Sequence, residues 1–209
     1  MTQSLFISLD GIDGSGKSTQ CRLLGQWLRQ QGHSVRTCAD PGSTSVGDEV
    51  RKILLYHEGA IAPRSEALLF MACRAQLVEE VIRPALRDGT IVISDRFLLA
   101  NVVYQGWAGG LPREELWKLG EWTIEEVSPD LTLVLDLPLP VAVKRRKASS
   151  DRIESRDRAH HEKVKEGFLK EAERSPDTVK VIDANHPTEQ VQAAIQKEVI
   201  RVLEERAGT

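Results

Sequence analysis

The chain has 209 residues, a length that suits one large domain or two small ones with a substantial buried core. Its 28 Lys and Arg residues nearly balance its 31 Asp and Glu residues, and a net charge of −3 argues against a dedicated binder of nucleic-acid polymers, which would carry a basic excess. The longest apolar runs have the length of strands, and three cysteines without Cys-x-x-Cys spacing indicate reduced thiols, so we expect a cytoplasmic protein without a membrane span.

The first part of the chain alternates between strand and helix patterns. Residues 5–9 predict a strand, and a glycine-rich turn and a helix to about Gln31 follow, with Gly32 as the C-cap. A weaker strand is predicted over residues 34–38. The loop after it, residues 40–45, is rich in Pro, Gly and Ser and ends this first unit.

The same alternation continues to the end of the chain. Helical periodicity covers residues 46–56 and 64–86, and we expect Pro84 to bend the end of the second helix. Residues 90–94 are apolar on both faces, which is typical of a parallel strand covered by helices on both sides. Two further apolar runs and a closing helix complete the pattern, at residues 131–135, 179–182 and 188–206.

The strongest motif of the sequence is Gly-Ile-Asp-Gly-Ser-Gly-Lys-Ser at residues 11–18, which fits the P-loop pattern G-x-x-x-x-G-K-[ST]. Glycines let the backbone N–H groups curl around phosphate oxygens, and the positive end of the following helix adds to the attraction. Lys17 would supply a catalytic cation for the outer phosphates of ATP, and the Ser18 hydroxyl would bind Mg²⁺. We therefore predict a nucleotide-phosphate site at Gly11, Ile12, Asp13, Gly14, Ser15, Gly16, Lys17, Ser18 and Thr19.

The P-loop and the alternating elements together predict an α/β fold of the P-loop NTPase type. We expect a three-layer sandwich in which helices flank a five-stranded parallel sheet, with a single domain over residues 1–209 and a short lid near residues 144–157. The ligand should lie outside the carboxyl ends of the strands. The chain has no Asn-Lys-x-Asp segment for reading guanine and is short for a motor ATPase, so a small-molecule kinase is favoured.

Residues that could bind a phosphoryl acceptor follow later in the chain. Asp95 and Arg96 come directly after a buried strand, where Asp95 could hold the hydration shell of Mg²⁺ and Arg96 could grip a phosphate. Phe70 and Arg74 share a helix face and suit a stacked base with its phosphate nearby; the alternative is a core phenylalanine and a solvated arginine. Three polar groups that could hydrogen-bond a nucleotide come next, at Asn101, Tyr104 and Gln105.

A basic run follows the fourth predicted strand and could form the lid. It comprises residues 144–147 with Arg152 and Arg156, and closure would bring an arginine to the transferring phosphoryl group. A basic helix C-terminus is also favourable through the helix dipole alone, so the run need not be functional. We choose Arg152 as the catalytic arginine, because Asp151 and Glu154 beside it can fix its direction.

These motifs resemble the thymidylate kinase family, and the resemblance runs through nearly all of the chain. The matching segments are residues 9–20, 40–44, 69–70, 74–76, 95–97, 104–106, 129–132 and 151–154. Members of the family phosphorylate dTMP to dTDP with ATP and Mg²⁺, usually as homodimers. The resemblance therefore implies dTMP as the small-molecule substrate, ATP and Mg²⁺ as cofactors, and a homodimer.

The resemblance also implies roles for single residues of the acceptor site. Phe70 would stack on thymine while Arg74 and Asn101 contact the base, Arg96 would hold the dTMP phosphate, Tyr104 would pack under the deoxyribose, and Asp13 would lie near its 3′-hydroxyl.

The sequence departs from the family pattern at positions that bear on catalysis and on the acceptor. Ala39 stands where the family commonly has arginine, and Cys73 stands where an acidic residue often precedes the base-contacting arginine. Gly14 occupies a P-loop position that carries arginine in some members, so a catalytic arginine would have to come from the lid. Two other functions stay open at this point, a kinase of another nucleoside or nucleotide and a nucleotide-dependent switch ATPase.

Overall fold

Five parallel strands form one sheet in the computed structural model, which describes residues 4–145, 151–153 and 155–207. In chain order they are β1 (Phe6–Gly11), β2 (Val35–Ala39), β3 (Ile91–Asp95), β4 (Leu131–Asp136) and β5 (Val179–Asp183). Their order across the sheet is β2-β3-β1-β4-β5. The predicted α/β fold with a five-stranded parallel sheet flanked by helices is confirmed.

The central strands are buried because apolar side chains leave them on both faces. Along β1, Phe6 belongs to one hydrophobic cluster, and Ile7 and Leu9 belong to the other. Val92 on β3 joins Phe6, while its neighbour Ile93 joins the opposite cluster. Alternation along each strand thus sends side chains into two helical layers, as expected for a parallel sheet covered on both sides.

Nine α-helices and two π-helical segments cover the sheet within the described residues. The helices are α1 (Lys17–Gln30), α2 (Ser45–Tyr56), α3 (Pro63–Leu77), α4 (Arg83–Arg87), α5 (Leu98–Asn101), α6 (Arg113–Ile124), α7 (Leu139–Arg145), α8 (Arg158–Arg174) and α9 (Thr188–Ala207). The π-helical segments are Val78–Ile82 and Val102–Ala108. No helix in the described part of the chain is both long and apolar enough to cross a membrane.

The helix predicted over residues 64–86 is interrupted before Pro84, where α3 gives way to the π-helical segment Val78–Ile82. Proline has no N–H to donate and its ring clashes with the carbonyl group four residues earlier, so the wider turn relieves the conflict that would otherwise bend the helix. The second π-helical segment, Val102–Ala108, was not predicted, and it contains the buried side chains of Tyr104 and Gln105.

The three cysteines are free and buried, which agrees with the expected reduced thiols. Burial raises the pKa of the Cys38 thiol and of the Cys73 thiol to about 12. It also raises the pKa of Cys21 well above its usual value.

The strand order places the functional loops side by side. β1 lies between β3 and β4, and the chain reverses its direction of travel across the sheet there. Ligands of open α/β sheets bind at such a switch point, outside the carboxyl ends of the strands. Residues 12–18 follow β1 and Arg96 follows β3, so both lie at this edge.

Candidate active site

A cleft of about 1440 Å³ opens at the carboxyl edge of the sheet. The P-loop from Asp13 onward, the loop of residues 39–43 and the loop of residues 184–188 line it. The predicted site residues that line the cleft are Asp13, Gly14, Ser15, Gly16, Lys17, Ser18, Thr19, Phe70, Arg74, Asp95, Arg96, Asn101, Tyr104 and Gln105. Three predicted residues do not line it, namely Gly11, Ile12 and Arg152.

The P-loop needs glycine at Gly11 and Gly14 because neighbouring backbone leaves no room for a side chain. Both residues have positive φ, 132° and 85°. A Cβ at Gly11 would lie 2.6 Å from the carbonyl oxygen of Leu135, and one at Gly14 would lie 2.5 Å from that of Ala142 on α7. The loop therefore packs directly against β4 and α7, and an arginine at position 14 would displace α7.

Lys17 is folded back onto the P-loop in this structure. Its Nζ donates hydrogen bonds to the carbonyl oxygens of Gly11 at 3.1 Å and Ile12 at 2.9 Å, and only 6% of the residue is exposed. Burial, together with the positive charge of Arg96, lowers the pKa of Lys17. The ammonium group thus lies against the P-loop backbone, and we expect it to contact the phosphates when a nucleotide binds.

Ser18 and Asp95 meet where α1 begins and β3 ends. The Ser18 hydroxyl donates a hydrogen bond to Asp95 Oδ2 at 2.5 Å. Hydroxyl and carboxylate oxygens are the ligand types that Mg²⁺ takes beside nucleotide phosphates. Within the described residues, no cluster of three or more His, Cys, Asp or Glu side chains could hold a metal ion.

Arg96 occupies a strained backbone position with its side chain held from several directions. Its φ is 70°, in the left-handed region that non-glycine residues seldom adopt. The guanidinium donates to the carbonyl oxygen of Gly11 at 3.1 Å, to the Asp13 carboxylate, and to the Tyr104 hydroxyl at 3.2 Å. Tyr104 in turn donates to Asp13 at 3.0 Å, so the three side chains form a closed group.

Arg74 is one of the most deeply buried residues, with 1% of its surface exposed. Its Nε donates to Asp40 Oδ2 at 2.6 Å, and its Nη1 donates to Asn101 Oδ1 at 3.0 Å. The alternative of a solvated arginine is therefore wrong. Phe70 is half-buried, packs against the core and also lines the cleft. It is therefore both a core residue and a residue that a base could stack on.

Asp10 is a buried carboxylate beneath the P-loop that the sequence reasoning did not select. Its Oδ2 accepts a hydrogen bond from the Ser8 hydroxyl at 2.5 Å, and its Oδ1 has no hydrogen-bond partner among the described residues. Burial raises its pKa to about 6, although the hydrogen bond from Ser8 and the charge of Arg96 act in the opposite direction.

Arg152 does not line the cleft, although Asp151 and Ile153 beside it do, and its guanidinium binds a second buried carboxylate that was also not predicted. Its Nη2 donates to Glu66 Oε2 at 2.5 Å, and its Nε donates to the carbonyl oxygen of Leu54 at 3.0 Å. A direct contact between Arg152 and the phosphoryl group therefore stays a prediction. The predicted lid residues 146–150 and Glu154 lie outside the described residues.

The loop after β5 forms the end of the cleft beyond the P-loop, and it was not predicted. Residues 184 and 186–188 line the cleft together with Arg145, whose Nη1 donates to the carbonyl oxygen of Ala184 at 3.2 Å. Gln20 of α1 fixes the far end of the loop by donating to the carbonyl oxygen of Thr188 at 3.1 Å. The loop follows the carboxyl end of a parallel strand, and this position could have predicted its place at the cleft.

A phosphate-binding loop and a second polar pocket at one sheet edge are the two parts that a P-loop kinase of small molecules requires. This chain is a kinase of that class.

Comparisons with known proteins define the family. The family model described as thymidylate kinase matches residues 9–195. A thymidylate kinase of Symbiobacterium thermophilum is 45% identical, with 99% of each chain covered, and one of Clavibacter sepedonicus is 44% identical, with 92% of each covered. The crystal structure of thymidylate kinase from Ehrlichia chaffeensis superposes with a TM-score of 0.76 at 30% identity, covering 94% of this chain and 98% of that one. The chain belongs to the thymidylate kinase family.

Proposed function

We propose that this chain transfers the γ-phosphoryl group of ATP to the 5′-phosphate of dTMP, producing dTDP and ADP. The observation that carries the proposal is the juxtaposition, in one cleft, of the P-loop with the pocket formed by Phe70, Arg74 and Arg96. ATP would occupy the P-loop end of the cleft and dTMP the end beside α3. The phosphates of the two nucleotides would then meet beside Asp95 and Arg96.

The P-loop is proposed to bind the ATP phosphates through its backbone N–H groups, at the positive end of α1. The Ser15 hydroxyl is buried without a hydrogen-bond partner among the described residues, which suits a group that waits for a phosphate oxygen. The ATP base would lie between Arg145 and the loop of residues 184–188, because these line the remaining part of the cleft.

The acceptor dTMP is proposed to bind with thymine stacked on Phe70 and in contact with Arg74 and Asn101. Arg96 would bind its phosphate, since its guanidinium is already oriented by Asp13 and Tyr104. Tyr104 would pack under the deoxyribose, with the Asp13 carboxylate near the 3′-hydroxyl. The support for these roles is that all six side chains line one cleft and that hydrogen bonds join five of them, Asp13, Arg96 and Tyr104 in one group and Arg74 with Asn101 in another.

Mg²⁺ is proposed to bind at Ser18 and Asp95, whose oxygen atoms already lie together at 2.5 Å. When bound, the ion would neutralise negative charge on the ATP phosphates. The Ser18 hydroxyl and the Asp95 carboxylate would be the oxygen ligands that this chain supplies to it.

Phosphoryl transfer asks little covalent chemistry of the protein. An oxygen of the dTMP phosphate attacks the γ-phosphorus, a new P–O bond forms, and the bond to the β-phosphate oxygen breaks, leaving ADP. Lys17 and Arg96 are proposed to hold the two nucleotides in line and to balance the charge that spreads over the γ-oxygens. Arg152 is kept as the proposed additional cation, with Glu66 holding its guanidinium through Nη2.

The proposal also covers assembly and location. A homodimer is supported by large exposed apolar side chains on three neighbouring helices, in which α3 contacts both α2 and α6. They are Val46, Ile53, Leu68 and Trp122. We propose a single domain over residues 1–209 in the cytoplasm, where free thiols such as these persist. Light scattering of the purified protein tests the dimer.

An acceptor panel tests the proposed activity. ADP release from ATP and Mg²⁺ is measured with dTMP, dUMP, dCMP, dAMP, dGMP and thymidine. We expect dTMP to give the highest kcat/KM, because Phe70, Arg74 and Asn101 form the base pocket. Preference for another acceptor would assign the chain to a different nucleotide. Slow ATP hydrolysis that no acceptor stimulates would instead indicate a switch ATPase.

A further inference from the structure

Helix α3 carries three functional side chains on one face. Glu66, Phe70 and Arg74 follow one another at intervals of four residues, so they lie one above the other along the helix. Phe70 and Arg74 face the proposed acceptor base. Glu66 lies one turn before them and does not line the cleft. Its carboxylate is buried, and only 2% of the residue is exposed.

A continuous chain of hydrogen bonds joins the acceptor side to Glu66. Arg74 donates to Asn101 Oδ1 at 3.0 Å, and Asn101 Nδ2 donates to Gln105 Oε1 at 2.8 Å. Gln105 Nε2 then donates to Glu66 Oε1 at 2.9 Å. Each amide in the chain donates on one side and accepts on the other, so its orientation is set by both neighbours.

Glu66 also binds two arginines from the segment of residues 151–157. Arg152 Nη2 donates to Oε2 at 2.5 Å, and Arg156 Nη2 lies 2.8 Å from both carboxylate oxygens. Charge-assisted contacts of this kind are the stronger hydrogen bonds in proteins. Burial alone would raise the pKa of Glu66, but the hydrogen bond from Gln105 and the charge of Arg156 outweigh it and lower the pKa, so the group is ionised at neutral pH.

We propose that Glu66 is a positioning residue for phosphoryl transfer, which couples occupancy of the acceptor base site to the placement of Arg152 and Arg156. A base that binds against Arg74 and Asn101 restrains the amides of Asn101 and Gln105. Those amides restrain the carboxylate, and the carboxylate fixes the two guanidinium groups. The inference rests on the proposed function, because it takes the base to lie against Arg74 and Asn101.

Kinetics of Glu66→Gln give the first test. The amide keeps one oxygen for hydrogen bonding but loses the charge that holds two arginines. We expect kcat with dTMP to fall at least about tenfold while KM for ATP stays within about twofold, since the P-loop is untouched. Glu49→Gln is the matched control, because it removes the same charge from an exposed ion pair with Lys52 on α2 and should leave kcat unchanged. A normal kcat in Glu66→Gln overturns the proposal.

Tryptic cleavage after Arg152 and Arg156 gives a second readout that simple destabilisation would not reproduce. In the wild-type protein, dTMP without ATP should slow cleavage at these two arginines. Gln105→Met interrupts the chain of hydrogen bonds but leaves Glu66 bound to both arginines. In this variant dTMP should still bind, as measured by calorimetry, but it should no longer slow cleavage. Equal protection by dTMP in this variant overturns the coupling, and the variant decides the matter even if Glu66→Gln fails to fold. A wild-type protein without dTMP kinase activity would instead reject the proposed function.

Discussion

Arg74 and Asp40 form an ion pair at 2.6 Å in which both side chains are almost entirely removed from solvent, at 2% and 0% exposure. Removing one partner of such a pair leaves a buried charge without compensation, which costs far more than the loss of a surface ion pair. The pair therefore fixes the arginine that is proposed to contact the base, and it makes the protein sensitive to substitution of either partner.

Asp40→Asn should lower the free energy of unfolding by about 3 kcal/mol, because the Arg74 guanidinium would keep its charge but lose its counter-ion. Urea denaturation of the wild type and the variant measures the change. Asp48→Asn provides the comparison, since its carboxylate accepts a hydrogen bond from the Ser43 backbone outside the core. A loss for Asp40→Asn no larger than for Asp48→Asn would show that the pair is not essential to the fold.

Arg96→Ala should raise KM for dTMP on the order of 10²-fold, because the proposed charged contact to the acceptor phosphate would be lost. KM for ATP should change far less. Tyr104→Phe is the milder companion variant: it removes only the hydroxyl between Arg96 and Asp13, and we expect less than about a tenfold effect. If Arg96→Ala weakens both nucleotides equally, Arg96 organises the whole cleft and not the acceptor alone.

Asp10 should make stability depend on pH in a defined direction. Its pKa is about 6 in the folded protein and near 3.8 when exposed, so the folded state binds the extra proton between these values. Its contribution to stability is complete below pH 4 and is lost as pH rises toward 6, by no more than about 3 kcal/mol.

The measurement for Asp10 compares urea unfolding of the wild type and Asp10→Asn from pH 4 to pH 7.5. The difference between the two proteins cancels every other titrating group. We expect the wild type to lose stability relative to the variant as pH rises to 6 and the difference to level off above it. A difference that does not vary with pH would mean that Asp10 keeps its ordinary pKa.

Gly14→Ala should destabilise the protein more than Gly32→Ala. Both residues have positive φ, 85° and 87°, so the backbone strain of about 1 kcal/mol is common to both variants. The new Cβ at position 32 meets nothing within 4 Å, whereas at position 14 it meets the Ala142 carbonyl at 2.5 Å. Thermal unfolding separates the two, and equal shifts in Tm would show that α7 moves aside without cost.

Most strands and the P-loop could be predicted because their signals are local. The runs at β1, β3 and β4 are apolar on both faces. The spacing of glycines and Lys17 in residues 11–18 directly indicates a loop whose backbone N–H groups can bind phosphate. Asp95 and Arg96 could be placed at the cleft from their position at the carboxyl end of β3. These features need no knowledge of which distant residues meet.

The buried carboxylates could not be predicted, because their cost depends on tertiary partners. Glu66 reads as an ordinary residue in the first turn of a helix, and only the fold brings Gln105, Arg152 and Arg156 to it. The same holds for Arg74, whose solvated alternative was reasonable until Asp40 supplied its counter-ion. The π-helical segment Val102–Ala108 also has no local sequence signature that separates it from an α-helix.

The inaccessible thiols of Cys21, Cys38 and Cys73 make the native chain a ready background for site-directed labelling. Maleimide dyes react with exposed thiolates, and these three groups are both covered and held protonated. A cysteine introduced at an exposed position would therefore take up a fluorophore selectively, without first removing the native cysteines. A dye pair with one member on α9 and the other on the segment of residues 151–157 could then report, molecule by molecule, how that segment responds to each nucleotide.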